Sequence, residues 1–150
     1  MKLEEAIQQK TPFRNARHRA TVNLLFTTNW LVDLHKGMFK PYSITLQQFN
    51  VLRILRGSYP NPISTSNIRG RMLDKMSDVS RIVERLVKKG LVERTTCLED
   101  KRLVDVKITE AGMALLSEID AHPEDMDSLI MNLNEEEAEQ LNLLLDKLRG

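Results

Sequence analysis

The sequence predicts a mainly α-helical protein with one small β-hairpin, and three observations support this fold class. Apolar residues recur with helical spacing in several segments of the chain. Two short segments near residue 100 alternate between apolar and polar residues, as strands do. The composition, with 41% hydrophobic and 29% charged residues in 150, is that of an ordinary globular protein. We therefore expect one compact domain.

The first predicted helix spans about Phe13 to Phe39 and is followed by Pro41, which breaks it. Its apolar residues lie on more than one side of the helix. They are Leu24, Leu25, Phe26, Trp30, Leu31, Leu34 and Met38. Such a helix needs more cover than a small domain offers, so we expect part of it to face a partner.

Two shorter helices are predicted next. Thr45 and Gln48 have the spacing of a capping box, and Gly57 ends the first of them. Its apolar residues are Leu46, Phe49, Leu52 and Leu55. After a loop at residues 58–62, Ser64 is the predicted N-cap of the second helix.

The most clearly marked helix is predicted from about Lys75 to Lys89. Five apolar residues follow the i, i+3, i+4, i+7, i+8 pattern of one buried face. They are Val79, Ile82, Val83, Leu86 and Val87. Gly90 stands where a left-handed residue commonly ends a helix.

Two predicted strands, Leu91–Thr96 and Leu103–Thr109, form a hairpin with residues 97–102 as its tip. A further helix is expected from about Glu110 to Ala121, where Pro123 stops it. The last helix begins at a second capping box, Asn134 with Glu137. Its apolar stripe is Ala138, Leu141, Leu144, Leu145 and Leu148.

The order of the predicted elements is that of a winged helix-turn-helix: two short helices, then a helix with one buried face, then a hairpin. The third helix of this fold enters the major groove of double-stranded DNA, where its polar side chains contact bases and phosphates. The candidates for DNA contact are Ser77, Ser80, Arg81, Arg85 and Lys88. Ser77, Arg81 and Arg85 would line one stripe, with Lys88 placed for phosphate. The alternative is a solvated helix whose charges pair with one another.

The predicted hairpin tip contains Asp100, Lys101 and Arg102. A guanidinium at such a tip suits the narrow, negative minor groove. Asp100 could orient Arg102 through a charge-assisted hydrogen bond. The alternative is a solvated turn with a weak surface ion pair.

Charge is distributed unevenly along the chain, although its net value is +1. The balance is +6 over residues 1–68, +4 over residues 69–107 and −9 over residues 108–150. The basic part could face nucleic acid, because neutralised phosphates release counterions. A mere difference between solvated faces is the alternative.

Other functional classes have less support. His18, His35 and His122 lie far apart, and there is no Gly-rich phosphate loop, so we expect neither an enzyme nor a metal site or cofactor. The second alternative to a DNA-binding function is a winged helix that contacts protein or RNA. The longest apolar run is too short to cross a bilayer, the first ten residues are not leader-like, and Cys97 is a single cysteine. A cytoplasmic protein is expected.

The segment from Val79 to Arg94 resembles the recognition-helix-to-wing region of MarR-type transcriptional regulators. The resemblance continues through Asp100-Lys101-Arg102 to Ile108–Gly112, which is similar to the wing and the following LTxxG motif of that family. Leu133–Glu137 is similar to the start of its last helix. The resemblance covers residues 13–149 and is most specific in the first two segments.

This resemblance implies a homodimeric transcription regulator, with repression as the expected mode, that binds a palindromic operator. A single domain, residues 1–150, would comprise a winged lobe at about 41–109 and dimerisation helices at about 13–39 and 110–149. Arg102 would be the minor-groove arginine and Asp100 its orienting partner. Cys97 is interpreted as an incidental thiol, since oxidant-sensing members usually carry their reactive cysteine near the N-terminus.

The chain departs from the family pattern at Asp78, where Ser or Thr is usual, and in the short stretch Pro123–Asp127. Because phosphate repels a carboxylate, we expect Asp78 either to contact a cytosine amino group or to be held by Arg81 or Arg85.

The resemblance also implies control by a small molecule. Members often bind aromatic compounds where the dimer helices meet the DNA-binding lobe. The nearest candidates in this chain are Trp30, His35, Met38, Phe39 and Tyr42. The alternative is that these are core and interface residues.

Overall fold

The computed structural model describes residues 1–96 and 104–150, and the predicted fold class is confirmed. The helices are α1 (Leu3–Ala6), α2 (Ala16–Phe39), α3 (Leu46–Arg56), α4 (Thr65–Arg71), α5 (Val79–Lys88), α6 (Glu110–Asp120), α7 (Pro123–Asp127) and α8 (Glu135–Arg149). The strands are β1 (Ile63–Ser64), β2 (Val92–Thr96) and β3 (Val104–Ile108). A 3-10 turn at Ser128–Ile130 follows α7.

The chain divides into two compact units, Met1–Leu46 and Gln47–Gly150. The first contains the long helix α2, which begins after Asn15, an N-cap residue whose side chain accepts a hydrogen bond from the His18 backbone N–H at 2.9 Å. The four-residue helix α1 was not predicted from the sequence. Its short length leaves no apolar period to detect.

The second unit contains a three-stranded antiparallel sheet in the order β1-β3-β2. Val92 pairs with Ile108 in the hairpin, and Ile63 of the unpredicted strand β1 pairs with Val106. The buried core of this unit is apolar, with Gln48 the one buried polar residue among those described. It includes Phe49, Val51, Leu52, Leu55, Ile68, Met72, Val79, Val83, Leu86, Val92, Val106, Ile108, Leu116 and Ile119.

Local capping signals account for most of the helix starts. Ser64 caps α4 as predicted, Thr109 caps α6, and Asn134 forms the predicted capping box with Glu137. The interpretation of Pro123 was incomplete. α6 ends before it, but Pro123 also occupies the first turn of a further helix, α7, where its missing N–H costs nothing.

Candidate nucleic-acid interface

The interface candidate is built on α5, a helix with one apolar and one polar face. Val79, Val83 and Leu86 are buried and attach the helix to the core of the second unit. The opposite face is exposed and carries Ser80, Arg81, Glu84, Arg85 and Lys88. The predicted division of this helix into a buried stripe and a polar face is confirmed.

The predicted start of this helix at Lys75 is wrong. α5 begins at Val79, and Asp78 is its N-cap, with its carboxylate accepting a hydrogen bond from the Arg81 backbone N–H at 3.1 Å. Asp78 is therefore held by the main chain of Arg81 rather than by a guanidinium. This contact explains the departure from Ser or Thr, because all three residue types can cap a helix.

Ser77 consequently precedes the helix and does not extend the stripe of Arg81 and Arg85. Its Oγ atom is buried and has no hydrogen-bond partner among residues 1–96 and 104–150. The selection of Ser77 as a DNA contact rested on the wrong helix boundary, and such a contact stays a prediction.

The charged side chains of α5 are only partly paired. Lys88 Nζ lies 3.0 Å from Glu84 Oε1, and this hydrogen-bonded ammonium lowers the pKa of Glu84. Within the described part of the chain, neither the Arg81 nor the Arg85 guanidinium has an acidic group within 4 Å. The alternative interpretation, in which the charged side chains of the helix pair with one another, therefore holds only for Lys88 and Glu84. Arg81 and Arg85 remain available for a ligand.

The end of α5 is fixed by a Schellman motif around Gly90, whose φ is +71°, as predicted for a left-handed residue. The Gly90 N–H donates to the Val87 carbonyl at 2.9 Å, and the Leu91 N–H donates to the Leu86 carbonyl at 3.1 Å. Because β2 begins directly afterwards, this turn sets the direction in which the hairpin leaves the helix.

A second contact ties the base of the hairpin to α6. The Thr109 Oγ1 atom donates to the Gly90 carbonyl at 2.7 Å and accepts from the Gly112 N–H at 3.1 Å. The Thr109 N–H donates to the Leu91 carbonyl at 3.1 Å. Thr109 and Gly112 thus hold both ends of the hairpin against the end of α5.

The hairpin is paired from Val92–Ile108 to Thr96–Val104. The predicted minor-groove residues Asp100, Lys101 and Arg102, together with Cys97, lie outside the described residues. Their roles stay predictions. The strands that carry the tip are antiparallel and adjacent to α5, as the winged arrangement requires.

The candidate ligand residues all lie in the first unit, in the C-terminal half of α2 or just after it. His35 Nδ1 is 2.7 Å from the Leu31 carbonyl oxygen and donates to it, so in the neutral ring Nε2 is an acceptor. The His35 ring is stacked on Phe39, with their centroids 6.2 Å apart. Trp30 is exposed, whereas Met38 and Tyr42 are half-buried and Phe39 is fully buried. Among the described residues no group of acidic, histidine or cysteine side chains has the arrangement of a metal site.

The family model described as MarR matches residues 44–104 of this chain. The multiple antibiotic resistance protein MarR of Salmonella typhimurium is 30% identical over 128 residues, which are 83% of this chain and 88% of that protein. The chain belongs to the MarR family. Members of the MarR family are DNA-binding transcription regulators and not enzymes, and this chain is one of them.

Two solved MarR-family structures extend the comparison. A mutant of Escherichia coli MarR complexed with operator DNA is 26% identical in sequence to this chain and has a TM-score of 0.73. The match covers 99% of this chain and 99% of that one. BpsR of Bordetella bronchiseptica, whose DNA binding is regulated by 6-hydroxynicotinic acid, is 24% identical with a TM-score of 0.76. That match covers 88% of this chain and 99% of BpsR, and it shows the fold alone.

The sequence analysis of this MarR-family chain missed one feature next to α5. Leu73 and Met76, in the connection between α4 and α5, are almost fully exposed. The predicted helix from about Lys75 includes Met76, whereas the structure places Met76 before the start of α5. The position of Asp78 immediately before the first buried residue, Val79, was a usable signal for the true helix start.

No helix in the described part of the chain is both long and apolar enough to span a membrane.

Proposed function

We propose that this MarR-family protein is a homodimeric repressor that binds a palindromic operator and is released from it by a small aromatic ligand. The observation that carries the proposal is the pair of exposed guanidinium groups, Arg81 and Arg85, on the solvent face of α5. Neither guanidinium has an acidic group within 4 Å among the described residues, so both can bind an anionic ligand without first breaking an ion pair.

In this proposal the first two turns of α5 contact base edges in the major groove. Arg81 and Arg85 can each donate two hydrogen bonds to a guanine, and Ser80 can contact a neighbouring base. Lys88, at the far end of the helix, is placed for phosphate, which would replace Glu84 as its partner. The wing residues Asp100, Lys101 and Arg102 would contact the adjacent minor groove.

Exposed leucines support the proposed homodimer. In the single chain, α8 exposes apolar side chains along its C-terminal half, namely Leu141, Leu143, Leu144 and Leu148. Leu25 and Trp30 of α2 are exposed as well. An exposed apolar stripe on a helix marks an interface, and a two-fold symmetric one fits a palindromic operator. We therefore assign residues 41–109 to the DNA-binding lobe and residues 13–39 and 110–149 to dimerisation.

The proposed ligand is a small aromatic acid or phenol bound by residues in the C-terminal half of α2 and just after it. Trp30, Met38, Phe39 and Tyr42 would supply apolar contact, and His35 Nε2 an acceptor for a hydroxyl group. The regulation of BpsR by 6-hydroxynicotinic acid supports this ligand class. Calorimetry with a panel of aromatic acids tests it. Binding that His35→Ala weakens supports the proposal, and no binding across the panel contradicts it.

The repressor proposal is tested by selecting short duplexes from a random library with the wild-type protein. We expect a palindrome with half-sites about one helical turn apart and an affinity that falls steeply with salt. Arg102→Ala should weaken binding to that duplex by roughly 1–3 kcal/mol.

The matched control is Arg17→Ala, which removes an exposed arginine of α2 and should leave the affinity unchanged. Transcription from a promoter containing the selected duplex should fall when the protein is added. If no duplex is enriched, the winged lobe binds another kind of partner. If transcription rises, the protein is an activator.

A further inference from the structure

Two apolar side chains project from the connection between α4 and α5, residues 72–78. Met76 is 91% exposed and Leu73 is 80% exposed. After the terminal Met1, these are the most exposed large apolar side chains in the described part of the chain. They are three residues apart in the segment that leads into the capped start of α5, the helix proposed to enter the groove.

Hydrogen bonds hold this segment in place. The Leu73 N–H donates to Asn50 Oδ1 of α3 at 2.9 Å, and the preceding Met72 is buried in the core. The Met76 N–H donates to Asp74 Oδ1 at 2.9 Å, which makes an Asx turn. The exposure of Leu73 and Met76 is therefore a property of a structured turn.

The charged residues of the segment are engaged locally. Asp74 accepts from the Met76 N–H, Lys75 Nζ donates to the Gly70 carbonyl at 2.6 Å, and Asp78 caps α5. The segment thus uses its charges within the fold and presents its apolar groups to solvent. Met76 is not needed as a hydrophobic staple either, because the residue before the N-cap is Ser77.

We propose that Leu73 and Met76 contact the C5 methyl groups of thymines in the operator and so determine its sequence at those positions. This inference rests on the proposed function. The N-terminal end of a recognition helix lies nearest the base edges, so the turn that leads into it faces the major groove. The thymine methyl is the apolar group exposed there. The flexible thioether of Met76 suits such a contact.

The experiment uses the duplex selected with the full-length wild-type protein. Each thymine in one half-site is replaced singly by deoxyuridine, which removes only the methyl group. Affinities are measured for the wild type, Leu73→Ala, Met76→Ala and Met76→Leu. Because both side chains are exposed, these variants should keep the wild-type unfolding midpoint.

We expect at least one thymine whose methyl loss weakens wild-type binding roughly fourfold, the effect of removing one buried methyl. Met76→Ala or Leu73→Ala should abolish the effect of that replacement, whereas Met76→Leu should retain it. The inference is overturned if the selected duplex binds equally well with every thymine replaced. It is also overturned if both alanine variants keep the full dependence on the methyl groups. If the wild-type protein enriches no duplex at all, the proposed function is wrong. That outcome is distinct from failure of the present inference, which is measured only on a duplex that the wild type binds.

Discussion

Gly112→Ala should destabilise the protein because Gly112 lies where α6 meets the end of α5. An added Cβ would overlap the Leu91 carbonyl oxygen and lie 2.7 Å from Ile108 Cγ1. The Leu91 carbonyl also accepts the 3.1 Å hydrogen bond from the Thr109 N–H, so it cannot move without weakening that bond. Overpacking lowers the free energy of unfolding by about 1–3 kcal/mol, and weakening the hydrogen bond lowers it by about 1 kcal/mol more. The higher helix propensity of alanine returns about 1 kcal/mol.

The expected net loss is about 1–3 kcal/mol in the free energy of unfolding. Urea unfolding followed by circular dichroism, at one fixed protein concentration, should show the midpoint lowered by about 1 M. Gly70→Ala is the matched control, because Gly70 is also helical and its added Cβ meets nothing within 4 Å. That change should leave stability equal or raise it by up to about 1 kcal/mol. A Gly112→Ala protein as stable as the wild type would refute this account of the junction.

The remaining predictions concern α5 and α8. Asp78→Ala should lower stability by about 1 kcal/mol through loss of the N-cap, whereas Asp78→Ser should restore most of it in the same urea assay. Equal stability of the two variants would contradict the capping role. Glu84→Gln releases Lys88 and removes a carboxylate facing the phosphates, so affinity for any duplex should rise; unchanged binding would show that Lys88 contacts no DNA. Leu144→Glu should convert the proposed dimer to monomer in analytical ultracentrifugation, and a persisting dimer would place the interface elsewhere.

Sequence reasoning succeeded where a local signal determines the structure. The buried stripe of α5 depends only on apolar spacing, and the left-handed Gly90 and the caps Thr109 and Asn134 depend on residues within one turn. These features fix the order of elements. The order in turn predicted a winged helix-turn-helix and the exposed face on which Arg81 lies.

Sequence reasoning failed where long-range contacts decide. The two-residue strand β1 exists because it pairs with Val106, far along the chain, and nothing in Ile63 and Ser64 alone predicts that pairing. The early start assigned to α5 hid both the capping role of Asp78 and the exposure of Met76. Glu84 pairs with Lys88 and not with Arg81 or Arg85. This choice of partner depends on side-chain geometry, which the spacing of residues along the helix does not specify.

The central claim is that the first two turns of α5 contact bases while Lys88, at its C-terminal end, contacts phosphate. Its most direct test compares Arg81→Ala with Lys88→Ala on the selected duplex and on a scrambled duplex of equal length, over a range of salt concentrations. The account predicts that Arg81→Ala loses roughly 1–3 kcal/mol on the selected duplex alone. Lys88→Ala should weaken both duplexes equally and reduce the salt slope by about one. If Arg81→Ala weakens both duplexes equally, Arg81 contacts only the backbone and the claim is wrong.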